Sequence, residues 1–213
     1  QYVQDIINEV YENGTFIIAA AGNGGTCGGP SNLVYPAAFD NVFAITSVGP
    51  QDNHERTIGD ASTTHQHNAS VDLSAPGYDI AISAGPGWYL FGTGTSYAAP
   101  LVTGTVGLML DVNPCLTNAE ISWVLKNSST DIDSLNPDYA GLLGAGGLNA
   151  RNAVEMAQKI EKIGLDVTAS VTCEPNSGEI EINIIGGTAP YTSVWSNGAT
   201  ELIQSDLEAG EYT

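Results

Sequence analysis

Positive charge is scarce in this sequence: Lys and Arg number 5 against 24 Asp and Glu in 213 residues, a formal net charge of −19. Such a chain cannot neutralise a phosphate backbone, which excludes nucleic acid as a partner. The acidic residues are spread rather than clustered, the pattern of a solubilising surface and not of a binding tail. No apolar run approaches the roughly 20 residues needed to cross a bilayer, so no transmembrane segment is expected. Cysteine is nearly absent too. Cys27, Cys115 and Cys173 lack metal-ligand spacing, and their pairing stays open between buried free thiols and a bridge from Cys27 to a partner elsewhere. Also missing are an initiator Met and a signal peptide. Val3, Ile6, Ile7, Val10 and Tyr11 already form a helical stripe, and a strand pattern is starting at Glu211-Tyr212-Thr213, so the chain is expected to be an excerpt of a longer protein.

What is present suits a folded core, with 42% hydrophobic residues and a length fitting one large domain or one and a half smaller ones. Asn13-Gly14 stops the first helix, and the apolar run from Thr15 to Ala21 predicts a parallel strand buried on both faces. Further strands are expected from Val42 to Val48 and from Ser70 to Leu73. From Ser96 to about Asp111 the chain is apolar on nearly every side and dotted with Ala98, Ala99, Gly104 and Gly107, which predicts a wholly buried helix. Thr117 and Glu120 fit a capping box opening a helix to about Asn127, and a last helix from about Asn149 should turn Ala153, Val154, Ala157, Ile160 and Ile163 inward before Gly164. Beyond it the period changes to two, as in Glu179-Ile180-Glu181-Ile182-Asn183-Ile184, with a hairpin turn signal at Ser196-Asn197-Gly198. The expected organisation is an α/β domain over residues 1–163 and the start of a β-sandwich over 164–213, with no internal repeat.

Gly92-Thr93-Gly94-Thr95-Ser96-Tyr97-Ala98-Ala99-Pro100 places a serine at the mouth of a buried helix, behind glycines that let backbone approach a ligand. Free N–H groups and the helix dipole there favour negative charge, as a nucleophile generating an oxyanion requires. On position alone Ser96 reads as a helix cap, and Asn23-Gly24 as a turn after a strand. His54, His65 and His67, with Asp72, are the local candidates for a base and its orienting acid. They fall in or beside the polar stretch from Asp52 to Asn68, which reads as an exposed loop. His65 and His67 as metal ligands lack a third partner. Gly22-Asn23-Gly24-Gly25 fails as a dinucleotide loop, because Cys27 stands where glycine is needed and Gly28-Gly29-Pro30 cannot open a helix.

The run Gly94-Thr95-Ser96-Tyr97-Ala98-Ala99-Pro100 resembles the Gly-Thr-Ser-x-Ala-x-Pro nucleophile signature of the subtilisin-like peptidases, the subtilases. Ala20-Ala21-Gly22-Asn23 resembles the family's oxyanion-hole segment, and Tyr35-Pro36-Ala37, Ala75-Pro76-Gly77 and Gly146-Gly147-Leu148-Asn149-Ala150 resemble its later landmarks in order, covering about residues 1–160. The resemblance implies the C-terminal part of a three-layer, parallel-sheet domain and a serine endopeptidase acting on proteins or peptides. Ser96 would attack the scissile carbonyl and Asn23 would donate its side-chain amide to the oxyanion; losing that amide costs about 10²–10³ in rate, a magnitude taken from a member of the family. The aspartate and histidine of the triad would both precede residue 1. Ala20, Ala21 and Gly22 would wall the cleft for the side chain before the scissile bond, with Val34 near its base. The backbone around Ala37, Phe39 and Val42 resembles a weak cation site of some members, so a structural calcium is allowed and no other cofactor is implied. Gly186-Gly187-Thr188-Ala189-Pro190-Tyr191, Trp195-Ser196-Asn197-Gly198 and Ala209-Gly210-Glu211-Tyr212 resemble SprB-like repeats, Ig-like modules of bacterial surface proteins. Secretion or cell-surface attachment through downstream repeats is the corresponding expectation. The competing reading is a catalytically silent subtilase scaffold within a surface adhesin, against which an intact Ser96 and Asn23 weigh.

Overall fold

The computed structural model describes residues 2–160, 164–172, 176–185 and 190–213. They fall into two compact units, Gln1–Lys159 and Ile160–Thr213. In the first, helix α1 (Tyr2–Glu12) precedes strand β1 (Ile17–Ala20), and β2 (Val42–Val48) and β3 (Leu73–Pro76) complete a parallel sheet in the order β1-β2-β3, with Ile17 opposite Val42 and Ile45 opposite Leu73. Every residue of the central strand β2 is buried, as its unbroken apolar sequence requires of a strand covered on both faces. Helix α2 (Thr95–Val112) lies across all three strands, α4 (Ala150–Gln158) packs on α2, and α3 (Asn118–Asn127) packs on α4. Fully buried Ile45, Leu73, Val102, Met109, Val124 and Leu125 anchor these layers, each side chain contributing roughly 1.5–3 kcal/mol by leaving water. The capping box at Thr117 and Glu120 forms as expected, and Asn149 caps α4 through the Asn152 N–H.

Three expectations need correction, and one element lay outside them. Strand β3 starts at Leu73, not Ser70, because Asn68 folds residues 68–71 into a turn by accepting from the N–H of Ser70 and the N–H of Val71. Strand β1 is half-buried, being the edge of the sheet among the described residues. Helix α2 is not wholly buried: Ala98, Val102, Thr105 and Met109 face the sheet and α4, while Leu101 is 40% and Leu108 56% exposed on a stripe that no described element covers. An antiparallel hairpin, β4 (Ile80–Gly85) with β5 (Trp88–Gly92), was not anticipated; the uninterrupted Trp88-Tyr89-Leu90-Phe91 hides the period of two that a strand normally shows.

The second unit is an antiparallel sheet of β6 (Gly164–Ser170), β7 (Gly178–Ile185) and β8 (Ile203–Leu207), with Val167 opposite Ile182 and Ile180 opposite Gln204. The turn at Asn197-Gly198 forms, with Gly198 at φ +84° and its N–H on the Trp195 carbonyl, but it joins no strands among the described residues. Trp195 is buried and donates its ring N–H to the Glu201 carbonyl at 2.7 Å. Ile163 and Cys173 lie outside the described residues.

Candidate active site

Strand β1 delivers the chain to the site and a glycine turns it. Ala21 N–H still donates to the Ile45 carbonyl at 2.8 Å, continuing the sheet, and Gly22 then takes φ +121°, a conformation other residues rarely adopt. The turn swings Asn23 toward the start of α2. There Asn23 Oδ1 accepts from both the N–H and the hydroxyl of Thr95, at 2.9 and 3.0 Å, and Thr95 Oγ1 accepts from Gly22 N–H at 3.1 Å. With the carbonyl end of its amide held twice, Asn23 keeps the NH₂ end for donation. Gly94, at φ +156°, leaves room for that amide, since a Cβ there would stand 3.2 Å from Asn23 Nδ2.

Ser96, one residue beyond Thr95, is exposed in the first turn of α2, and among the described residues its hydroxyl has no hydrogen-bond partner. Helix N–H groups in that turn have no intrahelical acceptor and favour negative charge. Pro100 adds a feature of its own: lacking an N–H, it cannot cap the carbonyl four residues back, which is that of Ser96. The Tyr97 ring lies against Gly92, where a Cβ would overlap it.

The residues expected to line a substrate cleft are brought together in part. A Cβ on Gly22 would meet Val34 Cγ2 at 3.0 Å, Cys27 Sγ at 3.1 Å and Gln66 Oε1 at 3.1 Å, so Val34 packs closely against Gly22. Ala20 is half-buried, and Ala21 is buried, so Ala21 could offer such a cleft only its backbone. Cys27 is a half-buried free thiol and Cys115 an exposed one.

The expectation of an exposed loop over Asp52–Asn68 holds for residues 57–62 and fails for the histidines. His54 is fully buried and His65 is 8% exposed. His54 Nδ1 meets the Ser47 carbonyl at 3.1 Å, His54 Nε2 meets His67 Nδ1 at 3.0 Å, and His65 Nδ1 meets the Ser47 hydroxyl. Tyr78 donates its hydroxyl to the His54 carbonyl at 2.6 Å, and the Tyr139 ring packs on both His54 and His67. Burial pushes His54 and His65 down to about 4, so both are neutral core residues at neutral pH, and it shifts half-buried His67 in the same direction. Asp72 is engaged elsewhere, accepting from Ala44 N–H at 2.8 Å and pairing with Lys126 at 2.7 Å. No local triad with Ser96 assembles. Nor, among the described residues, do three His, Cys, Asp or Glu groups converge as metal ligands. Near Ala37, Phe39 and Val42, where a weak cation site was expected, the Asp40 carbonyl accepts from the Gln4 side-chain amide at 2.9 Å.

A residue that sequence reasoning passed over is Gln66. It is fully buried, between two histidines, in a stretch whose polarity reads as solvent-facing. The one available signal is its place two residues from Asn68, another buried amide, both of which donate to the Asn32 carbonyl.

A model of the subtilase family matches residues 1–152, and one of the SprB repeat matches residues 165–200. Subtilisin BL of Lederbergia lenta is 30% identical over 143 residues, 67% of this chain and 49% of that protein. The minor extracellular protease Epr of Bacillus subtilis is 31% identical over 136 residues, 64% of this chain and 20% of its own length. A solved protease from Pseudoalteromonas arctica superposes with a TM-score of 0.58 at 28% identity, covering 72% of this chain and 46% of that one. The chain thus spans about half the length, or less, of the relatives it matches.

Proposed function

Because this chain belongs to the subtilase family, we propose that it is the nucleophile-bearing part of a serine endopeptidase. The Ser96 hydroxyl attacks the scissile carbonyl, losing its proton to a histidine encoded ahead of Gln1 and oriented there by an aspartate. As the Oγ–C bond forms, the carbonyl π pair moves onto oxygen, and the Asn23 amide and the Ser96 N–H donate to that oxyanion. Collapse expels the amine, which takes the proton back from histidine, and water then cleaves the acyl-enzyme by the same two steps.

One observation supports this reading most: Asn23 Oδ1 is fixed by Thr95, leaving the side-chain amide N–H groups unspent, and the next residue along α2 is an exposed Ser96 with no hydrogen bond to its hydroxyl. Gly22 and Val34, with Ala20 and the backbone of Ala21, would line the cleft for the side chain before the scissile bond. The substrates are proteins or peptides. Its place of work is outside a bacterial cell, in keeping with an extracellular protease among its relatives and with the SprB repeat at residues 165–200. There the β6-β7-β8 sheet would be one half of an Ig-like sandwich. A fluorophosphonate probe should label the full-length protein and spare Ser96→Ala; residues 1–213 alone, without a base, should stay unlabelled. Failure of the full-length wild-type protein to label would sink the assignment.

A further inference from the structure

Asn23 is bracketed by two glycines, and a single residue holds both. Gln66 N–H donates to the Gly22 carbonyl at 3.1 Å, and Gln66 Oε1 accepts from Gly24 N–H at 2.9 Å. Its Nε2 donates to the carbonyls of Gly29 and Asn32 at 2.7 and 2.9 Å, and its own carbonyl accepts from the Thr46 hydroxyl in the middle of β2. A fully buried amide with this many partners is costly to bring into the core unless each bond is made, and here each is. The neighbours close the same seam: His67 N–H donates to the Pro30 carbonyl at 2.8 Å, and Gly24 lies so near the Thr64 carbonyl that a Cβ would stand at 2.6 Å. A rigid strand, through Thr46 and Gln66, thereby sets the backbone on either side of Asn23, while Thr95 sets its side chain.

We infer that Gln66 is a positioning residue for the oxyanion site: it holds the backbone at Gly22 and Gly24 so that the Asn23 amide meets the developing oxyanion on Ser96. This rests on the peptidase reading above. A misplacement of the order of 1 Å at such a donor costs up to about 10²-fold in rate. Gln66→Glu keeps an oxygen for Gly24 N–H but loses the donations to Gly29 and Asn32; Gln66→Leu loses all three side-chain bonds.

The test uses the full-length protein, with active sites counted by fluorophosphonate titration. Expected for Gln66→Glu or Gln66→Leu is a fall in kcat per titrated site of about 10- to 100-fold, with KM little changed. Affinity for a peptide boronate, which forms the tetrahedral adduct, should fall in parallel. In an Asn23→Leu background the same substitutions should have little further effect, because the donor they position is gone. A purely structural glutamine would instead lower the number of titratable sites and leave kcat per site intact, and that result overturns the proposal. So would an undiminished effect of Gln66→Glu in Asn23→Leu. If Asn23→Leu alone leaves kcat unchanged, it is the oxyanion reading that fails. Should Gln66→Leu not fold, Gln66→Glu carries the comparison.

Discussion

At the scale of single residues, the packing of Val34 against Gly22 makes a specificity prediction. Val34 Cγ2 stands 3.0 Å from where a Gly22 Cβ would be, so if Gly22 walls the substrate cleft as proposed, the valine bounds the room beside it. Val34→Gly should raise kcat/KM for peptides with Phe before the scissile bond relative to Ala by roughly 10-fold or more, since a methylene or two in an apolar pocket is worth about 1–3 kcal/mol. An unchanged Phe-to-Ala ratio in paired peptide assays would place Val34 away from the substrate. The placement of Ser96 at the start of α2 and of Asn23 just after β1 was legible in the sequence because it leaves a local trace: glycines at positive φ, a helix start, a proline at a fixed offset. Gln66 and the histidines left none. Their burial depends on partners far away in the chain, such as Gly24, Asn32, Ser47 and Tyr139, and a polar stretch reads as solvent-facing until those partners are placed.

At the scale of elements, the segment carrying His54, His65 and His67 should make the first unit acid-sensitive. Folded, His54 and His65 titrate at about 4; unfolded, they return to 6.5. Between those values the unfolded chain binds the extra protons, so stability rises with pH. It should be fully present above about pH 6.5 and be lost progressively as pH falls toward 4, each histidine adding a slope of up to about 1.4 kcal/mol per pH unit. Urea midpoints measured between pH 7.5 and 4.5 should trace this fall, and His65→Gln should flatten it; a flat wild-type profile would contradict the buried, neutral assignment. Elements differed in legibility for the same physical reason as residues. The capping box of α3 was readable because all its parts lie within four positions, Thr117 to Glu120. The exposure of Leu101 and Leu108 on α2 was not, because an apolar, glycine-dotted helix reads alike whether one face or every face is covered.

At the scale of the whole molecule, these 213 residues carry a formal charge of −19. Spread over a surface, such charge creates a field that reaches beyond contact distance and biases diffusional encounter, raising the approach rate of cations and lowering that of anions. If peptides are the substrates, those flanked by lysines should be cleaved with higher kcat/KM than the same peptides flanked by glutamates. The advantage should sit in kcat/KM and not in kcat, because steering acts on encounter and not on the bound complex. It should also shrink with salt, as the screening length falls from about 10 Å at 0.1 M to about 3 Å at 1 M. A lysine preference that survives high salt would have another origin, a direct contact such as Asp79, which is exposed and already paired with Arg56 at 2.7 Å. Measuring both peptides across the salt series in the full-length protein separates the two, and a glutamate preference at low salt would show that the field near Ser96 does not follow the net charge.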